Sequence, residues 1–282
     1  MKLAAAMRLR EGESYADMAR RAARLGYQGV SIGFDHRWTD ADLLAMRQAF
    51  DEQGVEVVEL GCYCNFITPR DDEAARILDR LQWALQAGAI LNCDYAVTYA
   101  GSRHPDPDQP FAPHPDNWGD EAWDLLVKRT WALLDAVDDV GVCLCFEPCR
   151  TTTLRTLDSL AELTADVSTV RVRIALDPAA IFTPQAAGQS RRALAEVFAT
   201  LADTIAIARA TDVGLIDAGP EPRIEPAALG EGVVDYGTYL QLVDALELDT
   251  PIVVKYHPTD EAYEAAHRFL AAAAANAGLS TP

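Results

Sequence analysis

The chain consists of eight repeated pairs of a short apolar run and a longer amphipathic stretch, and this alternation restricts its fold more than any other feature. The runs have the length and the β-branched content of buried strands. They cover residues 2–7, 29–33, 55–61, 93–100, 142–147, 172–177, 204–210 and 251–256. The amphipathic stretches have the apolar spacing of helices. They cover residues 15–25, 40–53, 72–87, 120–140, 157–165, 190–202, 236–246 and 260–275.

Strands that alternate with helices predict a parallel sheet, because each parallel connection needs a crossover that a helix can supply. Eight such units in 282 residues predict an α/β fold, a single (β/α)8 TIM barrel that occupies residues 1–282 as one domain. An open doubly wound sheet is the alternative. The first unit lacks a Gly-x-Gly-x-x-Gly sequence, which weakens the nucleotide-binding version of that alternative. Irregular segments 101–119 and 212–232 follow predicted strands, so we expect both at the mouth of the barrel.

The composition argues against several kinds of partner. Lys and Arg number 24 against 43 Asp and Glu, and the net charge of −19 repels nucleic acid. No apolar run approaches the ~20 residues that cross a membrane. The six cysteines contain no Cys-x-x-Cys pair, so we expect free thiols in a cytoplasmic protein, with Cys143 and Cys145 buried and slow to react.

Four consecutive predicted strands end in a charged residue. Side chains alternate along a strand, and the positions that face the barrel interior lead to Glu147, Asp177, Arg209 and Lys255. A ring of ion pairs that only plugs the barrel is one interpretation. Burying charges is a poor way to gain stability compared with apolar packing, so an active site at the barrel mouth is the favoured interpretation.

Several short segments also resemble one family of barrel enzymes. They are residues 26–30 (GYQGV), 61–65 (GCYCN), 98–102 (TYAGS), 145–148 (CFEP), 176–178 (LDP) and 230–236 (GEGVVDY). In their order and spacing they resemble the xylose isomerase-like family of sugar-phosphate isomerases and epimerases. The resemblance runs nearly from end to end and implies a barrel that acts on a small carbonyl compound through an enediol.

The resemblance also implies one divalent metal, held by Glu, Asp, His and Glu at the ends of strands five to eight. Glu147 and Asp177 match the first two ligands, whereas Arg209 and Lys255 occupy the places of the His and the last Glu. Neither cation can donate a lone pair to a metal. We therefore expect no cofactor, leaving only weak Mn²⁺ or Mg²⁺ binding through Glu147 and Asp177. The pKa of Lys255 should fall through burial near Arg209 and rise beside Glu147, and the sequence does not decide between them.

Five further residues are candidates for substrate binding. Arg150 follows Glu147 closely and could hold an anionic group, although an exposed loop arginine is the simpler interpretation. His257 could act in acid–base chemistry or have a structural role. Asn65 and Tyr99, at strand exits, could bind sugar hydroxyls, and His104 lies in a Pro- and Asp-rich loop that could cover the site.

The leading hypothesis is an isomerase, an epimerase or a derived lyase that moves a proton on a small polyhydroxylated or carbonyl substrate. In it Glu147 is the general base or proton shuttle, Arg209 and Lys255 polarise the carbonyl, and Asp177 orients them. One alternative is a non-catalytic barrel that binds a ligand or a partner. Another is a lyase that forms a Schiff base at Lys255. The expected partner is a small molecule. The sequence leaves open whether the protein forms a homo-oligomer.

Overall fold

Eight parallel strands form a closed barrel in the computed structural model, which describes residues 1–106, 109–216 and 222–280. The barrel strands are β1 (Leu3–Met7), β2 (Gly29–Gly33), β3 (Glu56–Asn65), β4 (Tyr95–Tyr99), β5 (Cys143–Phe146), β6 (Val172–Leu176), β7 (Ile205–Ala210) and β10 (Ile252–Val254). Each strand pairs with its predecessor among the eight, and β10 closes the ring against β1. The predicted (β/α)8 barrel is therefore confirmed.

Eight long helices follow the strands, as the amphipathic pattern predicts. They are α1 (Tyr15–Arg24), α2 (Asp40–Asp51), α3 (Asp71–Leu91), α4 (Asp120–Ala136), α5 (Leu157–Val167), α8 (Ser190–Leu201), α9 (Tyr236–Asp244) and α10 (Asp260–Asn276). Two single-turn helices, α6 (Pro178–Ile181) and α7 (Pro184–Ala187), lie between β6 and α8. Among the described residues no helix has the length and apolar character needed to cross a membrane.

The segment predicted to be irregular after β7 instead forms a hairpin. Strands β8 (Asp212–Ile216) and β9 (Arg223–Ala227) pair antiparallel, and residues 217–221 lie outside the described part of the chain. The Asp212 carboxylate pins the base of this hairpin. It accepts hydrogen bonds from the backbone N–H groups of Gly230, Gly232 and Val234 at 3.0–3.1 Å. A Cβ on Gly232 would lie 2.1 Å from Asp212 Oδ1, so this turn requires glycine.

The other long connection, residues 101–119, is largely irregular as predicted. One 3₁₀ turn, Pro115–Trp118, precedes α4, and residues 107–108 lie outside the described part. The loop is fastened to the barrel by Asn117, whose amide group donates to the Thr151 carbonyl at 2.7 Å. Within the same loop, the Ser102 hydroxyl donates to the Ala112 carbonyl at 2.7 Å.

The barrel interior is filled by small and β-branched side chains below a layer of charge. Cys145, Ala175, Ile207 and Val253 belong to this inner cluster, as the strand parity predicts. Cys145 is fully buried, and burial raises the pKa of its thiol well above the ordinary value. The prediction of burial is wrong for Cys143, which starts β5 at the opposite end of the barrel and is partly exposed. The six cysteines, all within the described residues, are free thiols.

Candidate active site at the barrel mouth

Five alternating charges meet at the carboxyl end of the barrel. Arg209 lies between Glu59 and Glu147: its Nη2 donates to Glu59 Oε1 at 2.9 Å and to Glu147 Oε2 at 2.6 Å. Its Nη1 makes a further bond to Glu59 Oε2. Lys255 Nζ donates to Glu147 Oε1 at 3.1 Å and to Asp177 Oδ2 at 2.7 Å. We call Glu59–Arg209–Glu147–Lys255–Asp177 the charge chain.

The strands place these groups directly. Glu147 and Asp177 are the residues that follow β5 and β6, Arg209 is the next-to-last residue of β7, and Lys255 follows β10. The structure thus brings together all four residues that the sequence indicates for the catalytic role. It adds Glu59 from β3, a fully buried carboxylate that sequence reasoning missed. Glu59 gives the charge chain one surplus negative charge.

Ion pairing keeps Glu147 and Arg209 charged. Burial opposes ionisation of Glu147, but Arg209 and Lys255 outweigh it and lower the pKa of Glu147 to about 2. Burial likewise opposes the charge of Arg209, while Glu147 and Glu59 raise the pKa of Arg209 well above its ordinary value. A carboxylate with so low a pKa is a weak proton acceptor at neutral pH. This argues against Glu147 as the general base.

Lys255 is a protonated ammonium group in this setting. Burial would lower its pKa, but Glu147 and Asp177 raise the pKa above the ordinary value, which resolves the balance that the sequence leaves open. Its side chain is 45% exposed, whereas that of Glu147 is 2% exposed. The Arg209 side chain is 3% exposed and lies beneath the mouth. Lys255 is therefore the cation of the charge chain that a bound molecule can reach.

Two tyrosines complete the shell around Glu147. The Tyr63 hydroxyl accepts a hydrogen bond from Arg209 Nη2 at 2.9 Å and lies 3.1 Å from Glu147 Oε2. The Tyr99 hydroxyl donates to Glu147 Oε1 at 3.1 Å. The Tyr99 hydroxyl thus contacts a carboxylate, where the sequence suggested a sugar hydroxyl. Burial and the charge of Glu147 raise the pKa of Tyr99, so it stays a neutral donor. Tyr63 is not among the candidate site residues identified from the sequence.

A cavity of about 520 Å³ opens above Lys255, and we call it the mouth cavity. Glu147 and Asp177 form part of its wall together with the start of β8 and the end of β9. Of the predicted substrate-binding residues, Arg150, His257 and Tyr99 line it. A volume of this size falls in the ~300–1,000 Å³ range of small-molecule sites.

The carboxylates that line the mouth cavity are already bound. Asp177 accepts from Lys255, from the Thr211 hydroxyl at 2.5 Å and from the Ala179 N–H at 2.9 Å. Asp212 is held by the backbone N–H groups of the hairpin base. Glu147 is bound by two cations and two tyrosines, so these carboxylates serve to position their neighbours.

His257 has different surroundings. Its ring packs edge-on against Tyr263, with centroids 5.3 Å apart, and burial lowers the pKa of His257 below the ordinary value. It is thus a neutral imidazole at pH 7 beside the mouth cavity. Arg150 lines the same cavity, and its Nη2 donates to the carbonyls of Ala179 and Phe182 at 2.5 and 2.8 Å. This arginine therefore supports the α6 segment.

The remaining two candidates lie elsewhere. Asn65 is buried at the end of β3, where its Oδ1 accepts from the Ser102 N–H at 2.7 Å, and it lines a second cavity. His104 does not line the mouth cavity. Its Nδ1 accepts from the Asp106 N–H at 3.2 Å, and its ring packs against that of His114.

The charge chain does not fit the metal that the family resemblance implies. Across the described residues no group of three or more His, Cys, Asp or Glu side chains is arranged to hold a metal ion. Arg209 and Lys255, which the resemblance puts in the places of two ligands, donate hydrogen bonds to Glu147, and Lys255 also donates to Asp177. The oxygens that a metal would need are thus committed to cations.

Comparison with known proteins places the chain in a family. The family model for the xylose isomerase-like TIM barrel matches residues 19–273, and the chain belongs to that family. Comparison with curated protein sequences gives no match.

Solved structures show the same fold at low sequence identity. The probable 3-DHS dehydratase AsbF from Bacillus anthracis is 16% identical with a TM-score of 0.73, covering 96% of this chain and 98% of that one. The 3-keto-D-glucoside 4-epimerase YcjR from E. coli is 16% identical with a TM-score of 0.72, covering 96% and 99%. A Mycobacterium smegmatis xylose isomerase-like protein in complex with magnesium is 15% identical with a TM-score of 0.70, covering 98% and 97%.

Proposed function

We propose that the protein is a proton-transfer enzyme, an isomerase or a related epimerase or lyase, that acts on a small neutral polyhydroxylated carbonyl compound. One observation carries the proposal: the mouth cavity presents a partly exposed ammonium group, Lys255, and a neutral imidazole, His257. Epimerases and a dehydratase with the same fold support the reaction class. The proposed substrate class is taken from the chemistry of the family and applied to this chain.

In the proposed reaction the Lys255 ammonium donates a hydrogen bond to the substrate carbonyl oxygen. His257 removes the proton from the adjacent carbon. The C–H electron pair forms a carbon–carbon double bond, and the carbonyl π electrons move to the oxygen to give an enediolate. Lys255 stabilises the developing negative charge in the way of an oxyanion hole. Glu147 and Asp177 hold the ammonium in place and keep it protonated.

Return of the proton decides the product. If imidazolium His257 delivers it to the former carbonyl carbon while the hydroxyl proton of the other carbon passes to the enediolate oxygen, an aldose and a ketose interconvert, and one acid–base group is sufficient for the carbon-bound proton. Epimerisation requires delivery to the opposite face by a second group. If the enediolate instead expels a β-hydroxyl, which leaves as water with the proton from His257, the reaction is a dehydration. Because His257 is the acid–base group that the geometry supports, isomerisation fits best.

The proposal requires no divalent metal, since the Lys255 ammonium takes the electrophilic role. It also disfavours a Schiff base at Lys255. An amine must lose its proton before it attacks a carbonyl, and the raised pKa of Lys255 opposes that loss. Sodium borohydride should therefore trap no substrate adduct on this residue.

The test is the exchange of substrate carbon-bound protons in D₂O, followed by NMR, in the presence of EDTA. The sugars are D-fructose, D-tagatose, D-psicose and D-glucose, with the reducing disaccharides maltose and cellobiose. We expect catalysed exchange with at least one sugar, lost in Lys255→Gln and in His257→Asn. Lys128→Gln, on the exposed face of α4, is the matched control and should keep the exchange. Absence of exchange with every sugar, or exchange that survives Lys255→Gln, would contradict the proposal.

A further inference from the structure

A second cavity, of about 730 Å³, lies beside the mouth and takes no part in the proposed proton transfer. The end of β3 and the outer face of α3 form its walls, and we call it the side cavity. Tyr63 lines it, and the Tyr63 ring lies 4.7 Å from the ring of Tyr99, which lines the mouth cavity. The two cavities are thus neighbours across one tyrosine pair.

The side cavity contains a buried donor without a partner. Asn65 Nδ2 is buried and forms no hydrogen bond with the described residues. The orientation of this amide is fixed, because its Oδ1 accepts from the Ser102 N–H at 2.7 Å. A Cβ on Gly101 would lie 2.3 Å from Asn65 Oδ1, so the loop packs tightly on that side. Buried donors are nearly always satisfied in native proteins, so Nδ2 calls for an acceptor oxygen from a bound molecule.

The charges around the side cavity cancel. Arg76 pairs with Glu73 at 3.1 Å. Arg80 and Asp79, also in the cavity wall, form no ion pair with any described residue. Two cations and two carboxylates leave no positive surplus for a phosphate or another anion. They offer donors and acceptors together, which is what hydroxyl groups require.

Aromatic surface completes the lining. Trp83 from α3 is partly buried in the wall, and the Tyr63 side of the cavity is open, with Tyr63 39% exposed. Flat rings beside a few placed polar groups characterise small-molecule sites, and the apolar C–H face of a sugar ring packs on such a surface. Anions gain little from an aromatic face, so this feature also favours a neutral ring.

From these observations we infer that the side cavity binds a neutral sugar ring attached to the reacting part of the substrate, so that the substrate is a glycoside or an oligosaccharide. The inference rests on the proposed function for the location of the reacting part. Asn65 Nδ2 donates to a ring or hydroxyl oxygen, Arg80 and Asp79 bind further hydroxyls, and Trp83 or Tyr63 packs against the ring. These are binding residues and take no part in the chemistry.

The test follows the side-chain amide resonances of Asn65 in ¹⁵N-labelled protein, assigned by their loss in Asn65→Asp. The probes are the neutral disaccharides sucrose, maltose, cellobiose and trehalose, with sodium phosphate at equal ionic strength. We expect a saturable shift with at least one disaccharide and none with phosphate. Arg80→Gln should weaken that binding about tenfold, because it removes a charged hydrogen-bond donor. Arg47→Gln, which changes an exposed arginine on α2, should not.

Failure of each proposal is distinguishable. No shift with any disaccharide, a shift with phosphate, or unchanged affinity in Arg80→Gln would overturn the sugar subsite, whatever the exchange assay shows. If Asn65 responds to a disaccharide while no sugar undergoes exchange, the subsite stands and the proposed proton transfer fails. Lys255→Gln should abolish exchange and leave the Asn65 response intact, because Lys255 lies outside the side cavity.

Discussion

The two ends of the charge chain use the same ion pairs in different surroundings. At one end Arg209 is enclosed by Glu59, Glu147 and Tyr63, with its side chain 3% exposed. At the other end Lys255 bonds to Glu147 and Asp177 while 45% exposed. An enclosed cation compensates buried carboxylates and is unavailable to a ligand. An open cation gives less stability and can act on a bound molecule. The comparison gives the Arg209 end a structural role and leaves the Lys255 end for the proposed chemistry.

Replacing Arg209 tests the structural end and should have the largest effect. Arg209→Met leaves Glu59 and Glu147 buried without their guanidinium, which should lower the free energy of unfolding by about 3–5 kcal/mol. Urea denaturation measures the change. Arg47→Met on the α2 surface is the control and should cost less than about 1 kcal/mol. A loss below about 1 kcal/mol for Arg209→Met would show that the enclosed end is not structural.

Replacing Lys255 tests the chemical end. Lys255→Gln should reduce the rate of deuterium exchange into substrate by about 10²–10³-fold, the usual effect of removing one donor from an oxyanion site. Its effect on unfolding should be small, because the side chain is half exposed and Arg209 still neutralises Glu147. Exchange rates and urea midpoints on the same preparations separate the two effects. Equal losses of rate and stability would remove the distinction between the ends.

Acid should destabilise the Arg209 end of the charge chain over a defined range of pH. The pKa of Glu147 is lowered from 4.5 to about 2, so its ionised form stabilises the fold above pH 4.5, and this contribution is lost as the pH falls toward 2. A difference of that size corresponds to about 3 kcal/mol. Glu147→Gln should be less stable than the wild type at pH 7, and its unfolding free energy should change less between pH 5 and 2. Parallel pH curves for the two proteins would contradict the assignment.

The groups at the Lys255 end predict how the exchange rate depends on pH. His257 must be neutral to accept a proton, and its pKa is lowered by burial, so the exchange rate should rise with pH below 6.5 and be level at pH 7. The raised pKa of Lys255 should hold that plateau to above pH 10.5. His257→Asn should retain little activity and lose the acidic limb. A rate that continues to rise between pH 7 and 9 would point to a base other than His257.

The sequence predicts the barrel and four members of the charge chain because both follow from periodicity. Alternation of strand and helix gives the fold, and the period of two along a strand brings Glu147, Asp177, Arg209 and Lys255 to one side. The same period could have indicated Glu59, a carboxylate flanked by Val58 and Leu60 in the predicted strand 55–61.

Other features depend on irregularity that no simple period contains. Tyr63 shares the parity of Glu59 along β3, and its hydroxyl lies 3.0 Å from Glu59 Oε1. It lies beyond residue 61, where the predicted strand ends, in the stretch where the pairing of β3 with β4 shifts. The hairpin contains Pro226 in β9, a residue that usually argues against a strand. A two-stranded ribbon tolerates it because one edge of each strand is unpaired.

Chelation should have the smallest effect of all. The wild type should keep its stability and its exchange rate in EDTA, because Arg209 and Lys255 occupy the places of two metal ligands and repel a dication. At ~5 Å and an effective dielectric of ~20, each such charge pair repels by several kcal/mol. If the wild type instead contains stoichiometric metal, and chelation removes the metal and the activity together, the reaction at the Lys255 end depends on a metal.

Replacing the two cations with metal-ligand residues tests whether Arg209 and Lys255 are the reason that chelation should have no effect. Arg209→His with Lys255→Glu restores the two ligand types of the family, and calorimetric titration should then detect Mn²⁺ binding. Glu59 complicates this design, because it bonds to Arg209 and would be left buried without a cation. Adding Glu59→Gln removes that charge, so the triple variant should bind Mn²⁺ and unfold at a higher urea concentration than the double variant. If the triple variant folds and binds no Mn²⁺, the scaffold around the charge chain has departed from metal binding in more than its ligands.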